Sequence, residues 1–338
     1  MKNNKYKKTI LGLSILVMVL IISLMYPLYG PKNFNKVSLF LHDGKGEFLG
    51  VPPIPPSSHY PLGSDRNGQD ILMMIIYGAK FTLLTAFSVT FLRVFIGGIL
   101  GIAFSLWLKR LLPIVNDLLV VFKIVPPIIV TLFLMRRVSS FFIEDANYSI
   151  MLYQIIVLAI TGVPSVLFMT SEIIKELKGK SFIQTSYLMG GSHCHVLKTQ
   201  FKPYLKSYGL LMFVQQFLNT LILIMYLGAY QIYIGGVSKS EVRGMELLNS
   251  NSKEWAGMVG QNIYEFNRAP YIVLIPLICY FIIIIIINMI KKELQSSMDM
   301  NPLGIHIKKK KSKKHQTFKN EKQVAFASAD FTLQKDMT

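Results

Sequence analysis

Residues 271–290 read YIVLIPLICYFIIIIIINMI, a stretch of 20 residues without a charged side chain. A helix of this length is about 30 Å long, which matches the hydrocarbon thickness of a bilayer. Five further stretches approach the same length, at 9–26, 81–108, 112–135, 150–170 and 208–234. None of them alternates with a period of two residues, as a strand of a membrane barrel would, so the sequence predicts six membrane-spanning helices.

The composition of the whole chain agrees with a membrane protein. Of its 338 residues, 52% are hydrophobic and 16% are charged, and the mean hydropathy is +0.44. Soluble domains carry about 25% charged residues, so this chain has too little charged surface to cover a globule of its size. Cys194 and Cys279 are its two cysteines, too few for a disulfide scaffold. The predicted fold class is therefore an all-α polytopic membrane protein.

Positive charge is in excess, with 36 Lys and Arg against 18 Asp and Glu and a formal net charge of +18. In a soluble protein such an excess would indicate nucleic-acid binding. Here the basic residues cluster beside the apolar stretches, which indicates contact with anionic membrane lipids, so no nucleic-acid partner is expected. If both termini are cytoplasmic, the inner segments hold 23 basic and seven acidic residues, and the outer segments hold ten of each. The positive-inside rule predicts this orientation.

The short motifs of several enzyme classes are missing from the sequence. No G-x-x-x-x-G-K-[ST], H-E-x-x-H, C-x-x-C or G-x-S-x-G occurs. His193 and His195 are two residues apart, so a helix would point them to different sides, and an exposed loop is favoured over a metal site there. The sequence therefore predicts neither an enzyme nor a bound cofactor or metal. A six-span protein of this kind would take its energy from a partner.

Residues 62–70 read LGSDRNGQD, and residues 77–80 read YGAK. This pattern closely resembles the L-G-T-D-x-x-G-R-D…Y-G-A-R signature of permease subunits in the oligopeptide, dipeptide and nickel ABC importer family. The signature positions are Gly63, Asp65, Gly68, Asp70 and Gly78.

The following span continues the resemblance without a gap. Gly97 and Gly101 match two glycines of the family. They also have a physical interpretation of their own, because small residues four apart let a neighbouring helix approach closely.

Two further matches follow in the order of the family. The family's EAA motif reads E-A-A-x-x-x-G, then nine residues, then I-x-L-P. Its spacing is kept, with the Glu and both Ala replaced, at Gln184, Thr185, Ser186, Gly190 and Pro203. A third match begins at Glu254 and Trp255. Together the three matches cover about residues 59–300.

The resemblance implies a type I ABC importer permease fold in the cell membrane. Such a chain forms the translocation path with a second, similar permease, two cytoplasmic ATPases drive it, and an extracytoplasmic binding protein delivers the substrate. The inner segment 171–207 would contain the coupling helix that contacts one ATPase. In this interpretation residues 1–58 hold the first helix and an extracytoplasmic loop, residues 59–300 the permease domain, and residues 301–338 a basic, disordered cytoplasmic tail.

Three polar side chains inside the predicted spans are candidates for the translocation path. Arg93 lies near the middle of the second span, where a charge is costly and seldom faces lipid. It could line the path, or it could pair with the partner subunit or with Asp117. Gln215 and Asn219 share one face of the fifth span, and for them hydrogen bonding across helices and lining of the path are equally open.

Prolines are expected to interrupt two of the spans. Pro126 and Pro127 lie inside the third span, and Pro164 lies inside the fourth. A proline within a helix removes a backbone donor and clashes with the preceding turn, so both spans should be broken or kinked.

Two alternatives to a peptide importer remain open at the level of sequence. The replaced Glu and Ala residues of the EAA motif motivate a diverged, non-transporting membrane subunit with an assembly or regulatory role. A nickel importer of the same family is the other alternative, since the matched motifs do not separate it from a peptide importer.

Overall fold

A computed structural model describes residues 6–31, 37–38, 40–42, 48–136, 147–242 and 245–299. The helices are α1 Lys7–Tyr29, α2 Ile71–Leu106, α3 Leu112–Leu119, α4 Val121–Ile124, α5 Pro127–Met135, α6 Tyr148–Lys178, α7 Ser181–Leu188, α8 His193–Val196, α9 Lys202–Ala229, α10 Trp255–Gln261 and α11 Pro270–Asp299. A π-helical turn, Leu197–Phe201, joins α8 to α9, and a 3-10 turn, Ile263–Glu265, follows α10. The strands are β1 Leu41–His42, β2 Phe48–Gly50, β3 Val237–Val242 and β4 Met245–Ser250.

Among the residues that the structure describes, five helical segments are long and apolar enough to cross a membrane. They are Lys7–Tyr29, Ile71–Leu106, Tyr148–Lys178, His193–Ala229 and Pro270–Met298. They correspond to five of the six predicted spans. The fifth predicted span ends earlier than expected, at Ala229, because Gln231 adopts a φ of 59° that no helix can continue.

The third predicted span, 112–135, requires a correction. It is broken into α3, α4 and α5, and none of these is long enough to cross a membrane by itself. Pro126 has extended backbone angles, φ −56° and ψ 131°, and Pro127 is the first residue of α5. The break at the two prolines confirms the sequence-based expectation, because the residue before a proline is driven out of the helical region.

The broken segment nevertheless runs from one end of the bundle to the other. At one end, the Lys178 ammonium donates to the carbonyl of Ser105, so the ends of α6 and α2 lie together. Along the segment, the Tyr153 hydroxyl donates to the carbonyl of Leu134, which places the end of α5 beside the start of α6. The chain between α2 and α6 therefore returns across the bundle, as a sixth crossing requires.

The first and last long helices meet at their ends. α1 has no side-chain cap of its own. The Glu293 carboxylate of α11 instead accepts hydrogen bonds from the backbone N–H of Lys8 (3.2 Å) and from the hydroxyl of Thr9 (2.6 Å). It thereby satisfies a free amide of the first helical turn. The start of α1 and the end of α11 thus lie at the same end of the bundle.

Among the described residues, two antiparallel hairpins, β1–β2 and β3–β4, lie in the segments predicted to be outer loops. The sequence analysis predicted no strands there. In β3–β4, pairing runs from Val237 with Ser250 to Val242 with Met245. Paired strands satisfy their backbone groups with each other, which lets a short polar loop stay ordered without forming a helix.

α2 and α6 pack along the two glycines that were matched four residues apart. A Cβ at Gly97 would lie 2.7 Å from the Cβ of Val166, and a Cβ at Gly101 would lie 2.7 Å from the Cβ of Thr170. The close approach predicted from their spacing is confirmed, and its partner is α6 of the same chain. Gly98, on the other side of α2, has nothing within 4 Å of such a Cβ.

Residues Met1–Ser296 form one compact unit and Ser297–Thr338 a second. Within the second unit the structure describes only the final residues of α11. The basic tail predicted at 301–338 lies outside the described residues, and its state stays a prediction.

The glycine seam gives a direct test of the α2–α6 packing. Gly97→Leu forces a side chain into Val166, and overpacking of this kind costs about 1–3 kcal/mol, so the melting temperature in detergent should fall by several degrees. Gly98→Leu adds the same side chain one residue away, in open space, and should leave the melting temperature unchanged. Equal melting temperatures for the two variants would contradict the seam.

Candidate functional site

Arg93 lies in the middle of α2 and forms hydrogen bonds with two other helices, α6 and α9. Its side chain is only 3% exposed. Its Nε and one terminal nitrogen donate to the carbonyl of Leu158 on α6, at 2.9 and 2.6 Å, and the other terminal nitrogen donates to the hydroxyl of Thr220 on α9 at 3.1 Å. Asp117, one of the pairing partners considered from the sequence, is not among the described acceptors of the guanidinium.

The local sequence of α6 makes room for this guanidinium. Gly162 lies one turn after Leu158, and a Cβ there would overlap the Arg93 side chain. Pro164 follows within the helix and removes a backbone donor from this part of α6. The sequence singled out Arg93 by its depth in the span, but its acceptor is a backbone carbonyl, which no side-chain pattern reveals.

Gln215 and Asn219, unlike the buried Arg93, lie side by side toward the exposed face of α9. The Gln215 amide donates to the Asn219 side-chain oxygen at 3.1 Å, and Asn219 is exposed. Ile222 and Tyr226 continue the same face of α9 at helical spacing, Tyr230 follows directly after the end of the helix, and all three are exposed. We call these five residues the α9 stripe. The predicted shared face of Gln215 and Asn219 is confirmed.

The inner segment 171–207 contains a short helix held by three contacts. Ile183 of α7 is fully buried. The ring of Phe182 stacks on Tyr204 of α9 at 6.1 Å, and the Tyr187 hydroxyl lies 3.2 Å from Nδ1 of His193 on α8. These contacts fasten α7 against the start of the next long helix.

The end of α7 is a glycine-dependent turn. Gly190 has a φ of +85°, the Gly191 N–H donates to the carbonyl of Ser186, and the Gly190 N–H donates to the carbonyl of Tyr187. This is the Schellman pattern, in which only glycine takes the left-handed position without strain. The sharp turn expected at Gly190 is confirmed.

The predicted coupling residues take different places around this turn. Gln184 and Thr185 are exposed on α7 and Ser186 is half-buried. The Thr185 hydroxyl donates to the carbonyl of Ser181 in its own helix. Pro203 lies in the first turn of α9, just after the π-helical turn, where a missing N–H is tolerated.

Leu188 and Met189 form an exposed apolar tip that the sequence motifs did not single out. Their side chains are 87% and 83% exposed. These two neighbouring side chains leave a small apolar surface uncovered, next to the exposed Gln184 and Thr185 of the same helix. The sequence could have revealed this exposed tip only after the turn at Gly190 had been placed.

The signature residues gather at the other end of the bundle, around the start of α2. The Asp65 carboxylate accepts from the N–H groups of Asn67 and Gln69 at 2.9 and 2.8 Å, and Asp70 caps α2 through the N–H of Leu72 at 2.8 Å. Gly63 and Gly68 have φ values of +84° and +79°. The signature therefore encodes a tight loop and a helix start.

The third matched motif packs directly on this loop and helix. A Cβ at Gly78 would overlap the backbone carbonyl of Lys253. The indole N–H of Trp255 donates to the carbonyl of Ile75 at 2.8 Å, and the backbone N–H of Trp255 donates to the hydroxyl of Thr82 at 3.1 Å. Motifs almost 200 residues apart in sequence thus form one layer.

Four charged side chains are buried in this layer, namely Asp65, Arg66, Lys253 and Glu254. Burial raises the pKa of Asp65, partly offset by Lys253, and lowers the pKa of Lys253 to about 8, partly offset by Asp65. Burial also raises the pKa of Glu254 to about 7, although its carboxylate accepts from the N–H of Ala256. The charges balance in sign, which limits the cost of burying them.

Within the part of the chain that the structure describes, no three His, Cys, Asp or Glu side chains come together in a way that could hold a metal ion. His193 and His195 both lie on α8, and His193 is engaged with Tyr187.

The comparisons with known proteins give one relative and no family model. No protein-family model matches the chain. The oligopeptide transport system permease protein AmiD of Streptococcus pneumoniae (strain ATCC BAA-255 / R6) is 28% identical over 142 residues, which are 41% of this chain and 42% of that protein. The match thus spans less than half the length of the curated relative. Together with the three motifs, this relative supports the ABC-transport permease family for this chain and leaves the substrate open.

Proposed function

We propose that this chain is one of two permease subunits that form the translocation path of an ABC importer for oligopeptides or dipeptides. Its partners are a second, similar permease, two cytoplasmic ATPases and an extracytoplasmic binding protein. It crosses the cell membrane six times with both termini in the cytoplasm, and the broken segment α3–α5 makes one of the crossings. ATP is hydrolysed by the partners, and this chain makes no covalent change in the substrate.

The observation that carries this proposal is the amide pair on α9, in which Asn219 is exposed and Gln215 is half-buried. Gln215 and Asn219 lie in the middle of an apolar helix, and their described side-chain bond is the one they make with each other. An amide that faces hydrocarbon without further partners is costly. The α9 stripe therefore faces water or another polar surface, as the wall of a path between two subunits does.

The chemistry of the α9 stripe suits a peptide. Two amides and two phenols can donate and accept hydrogen bonds, as the N–H and C=O groups of a peptide require. The stripe carries no charge, so it would hold peptides of different charge without trapping them. The relative's name, an oligopeptide transport permease, agrees with this class of substrate.

Arg93 has a supporting place in this proposal. The guanidinium donates its described hydrogen bonds to Leu158 and Thr220, and Thr220 is adjacent in sequence to Asn219. We place Arg93 behind the α9 stripe, where it holds α6 and α9 together beside the path.

At the inner end, the tip of α7 is proposed to receive the movement of an ATPase. Leu188 and Met189 would bury their side chains in a groove of the partner, while Ile183 and Phe182 transmit the displacement to α9. A short helix fixed at its base in this way moves as a rigid lever.

Loss of uptake is the first expected result. A strain that lacks this chain should lose uptake of labelled peptide and regain it with the wild-type chain. Unchanged uptake, with the other subunits still assembled, would favour the non-transporting alternative. A parallel measurement of labelled nickel uptake tests the nickel-importer alternative. Deletion of a nickel permease would abolish nickel uptake and leave peptide uptake normal.

Water should reach the α9 stripe but not the lipid-facing surface of α11. In a chain with Cys194→Ser and Cys279→Ser, Asn219→Cys should react with a water-soluble maleimide at least about tenfold faster than Ile285→Cys, since the reactive thiolate forms only in water. Ile285 is a matched control because it is 66% exposed on an apolar helix. Equal, slow labelling would place Asn219 against lipid or in a dry contact and contradict the path.

The α7 tip should be needed for coupling but not for folding. Leu188→Asp or Met189→Asp would bury a charge in the ATPase groove, and a cost of a few kcal/mol should lower co-purification of the ATPase and peptide uptake at least about tenfold. Cys194→Asp is the control, since Cys194 is exposed on α8 beside the same turn. Normal co-purification of the ATPase with both tip variants would overturn the proposed contact.

A further inference from the structure

A narrow apolar slot lies between α1 and α11, with α2 and Trp255 behind it. Its volume is about 280 Å³. Seven isoleucines and five other side chains line it, and none of these is charged. The indole N–H of Trp255 is already bonded to Ile75, so it offers no donor to an occupant.

α1 contacts the bundle at both ends of the slot, and Leu16 and Val19, which line the slot, also pack against the core. At one end, a Cβ at Gly12 would lie 3.0 Å from Ile290 of α11, so the two helices touch there. At the other end, the Ser23 hydroxyl donates to the carbonyl of Tyr77 at 3.2 Å and accepts from the N–H of Lys80 at 2.9 Å. Ala79, next to Lys80, presents only a methyl group to the slot.

The slot has a buried floor and an open mouth. Ala79 and Trp255 form part of the floor and are at most 4% exposed. Ile15, Ile22 and Ile282 stand at the mouth and are between 37% and 50% exposed. Since α1 and α11 are two of the helices able to cross a membrane, the mouth opens on the hydrocarbon region of the bilayer.

Size and chemistry select the occupant. Water is disfavoured, because a buried water needs two to four polar partners and the slot lining offers none. A helix is about 10 Å across, so 280 Å³ would hold less than one turn of it. An extended hydrocarbon chain fits, because a methylene group takes up roughly 30 Å³, about the volume of a water molecule, and about nine of them fill the slot.

We propose that the slot binds one acyl chain of a membrane phospholipid. The bound chain completes the packing between α1 and α11, where an empty slot would forfeit dispersion contacts on both helices. The lipid thereby acts as a structural ligand that holds the first helix on the bundle. This inference does not depend on which substrate the chain transports.

Trp255 reports on the slot directly. The chain has two tryptophans, and Trp107→Phe leaves Trp255 as the sole emitter. The full-length Trp107→Phe chain is reconstituted in phosphatidylcholine vesicles with or without bromine atoms on the acyl chains. Bromine quenches tryptophan fluorescence only at short range. We expect the emission of Trp255 to fall about twofold in the brominated vesicles, because an acyl chain in the slot touches the indole.

Filling the slot should abolish the quenching. Cys279→Phe and Ala79→Leu, each in the Trp107→Phe chain, occupy the slot from α11 and from α2. Ile278→Phe is the matched control, because Ile278 neighbours Cys279 in sequence but is 53% exposed and does not line the slot. Its quenching should equal that of the parent.

The proposal is overturned if Trp255 of the parent is not quenched, or if the Cys279→Phe and Ala79→Leu chains fold and are quenched as strongly as the parent.

Discussion

The packing of the long helices centres on one buried cation, Arg93. It donates twice to the backbone of Leu158 and once to Thr220, so α2, α6 and α9 meet at a single guanidinium. Burying such a charge within a membrane-spanning helix is costly, and these hydrogen bonds offset part of the cost. The glycines at 97, 101 and 162 bring the helices near enough for the bonds to form. Close approach and charge satisfaction therefore depend on each other.

The layer at the start of α2 also buries charged side chains. Asp65, Lys253 and Glu254 are buried where the loop before α2 meets the segment before α10. Each has an opposite charge or backbone donors nearby, and the carbonyl of Lys253 sits where a side chain at Gly78 would be. The residues of the family signature therefore serve the packing of this loop and helix. They indicate a relationship to the family strongly, and they say little about the substrate.

The sequence predicted the helices better than the contacts between them. Apolar length was sufficient for five spans, and Pro126 with Pro127 indicated the break in the third. The outer hairpins were missed, because two paired strands need a partner segment that local pattern does not show. Arg93 could be selected from its depth in the span. Its acceptor, the carbonyl of Leu158, could not, because every residue has a backbone carbonyl and the sequence does not show which one accepts. For the same reason the exposed tip at Leu188 emerged only from the folded turn.

The altered EAA motif does not by itself argue against coupling. Of its three replaced positions, Gln184 and Thr185 are exposed, and Ser186 takes part in the turn through its backbone carbonyl, which any residue would supply. The turn is held by backbone bonds from Gly190 and Gly191 and by the left-handed φ of Gly190, and this glycine is retained. A partner surface can adapt to exposed side chains, whereas a non-glycine residue at position 190 would strain the turn. The spacing of the motif is therefore the part that the turn at Gly190 depends on, and this turn sets the position of Leu188 at the end of α7.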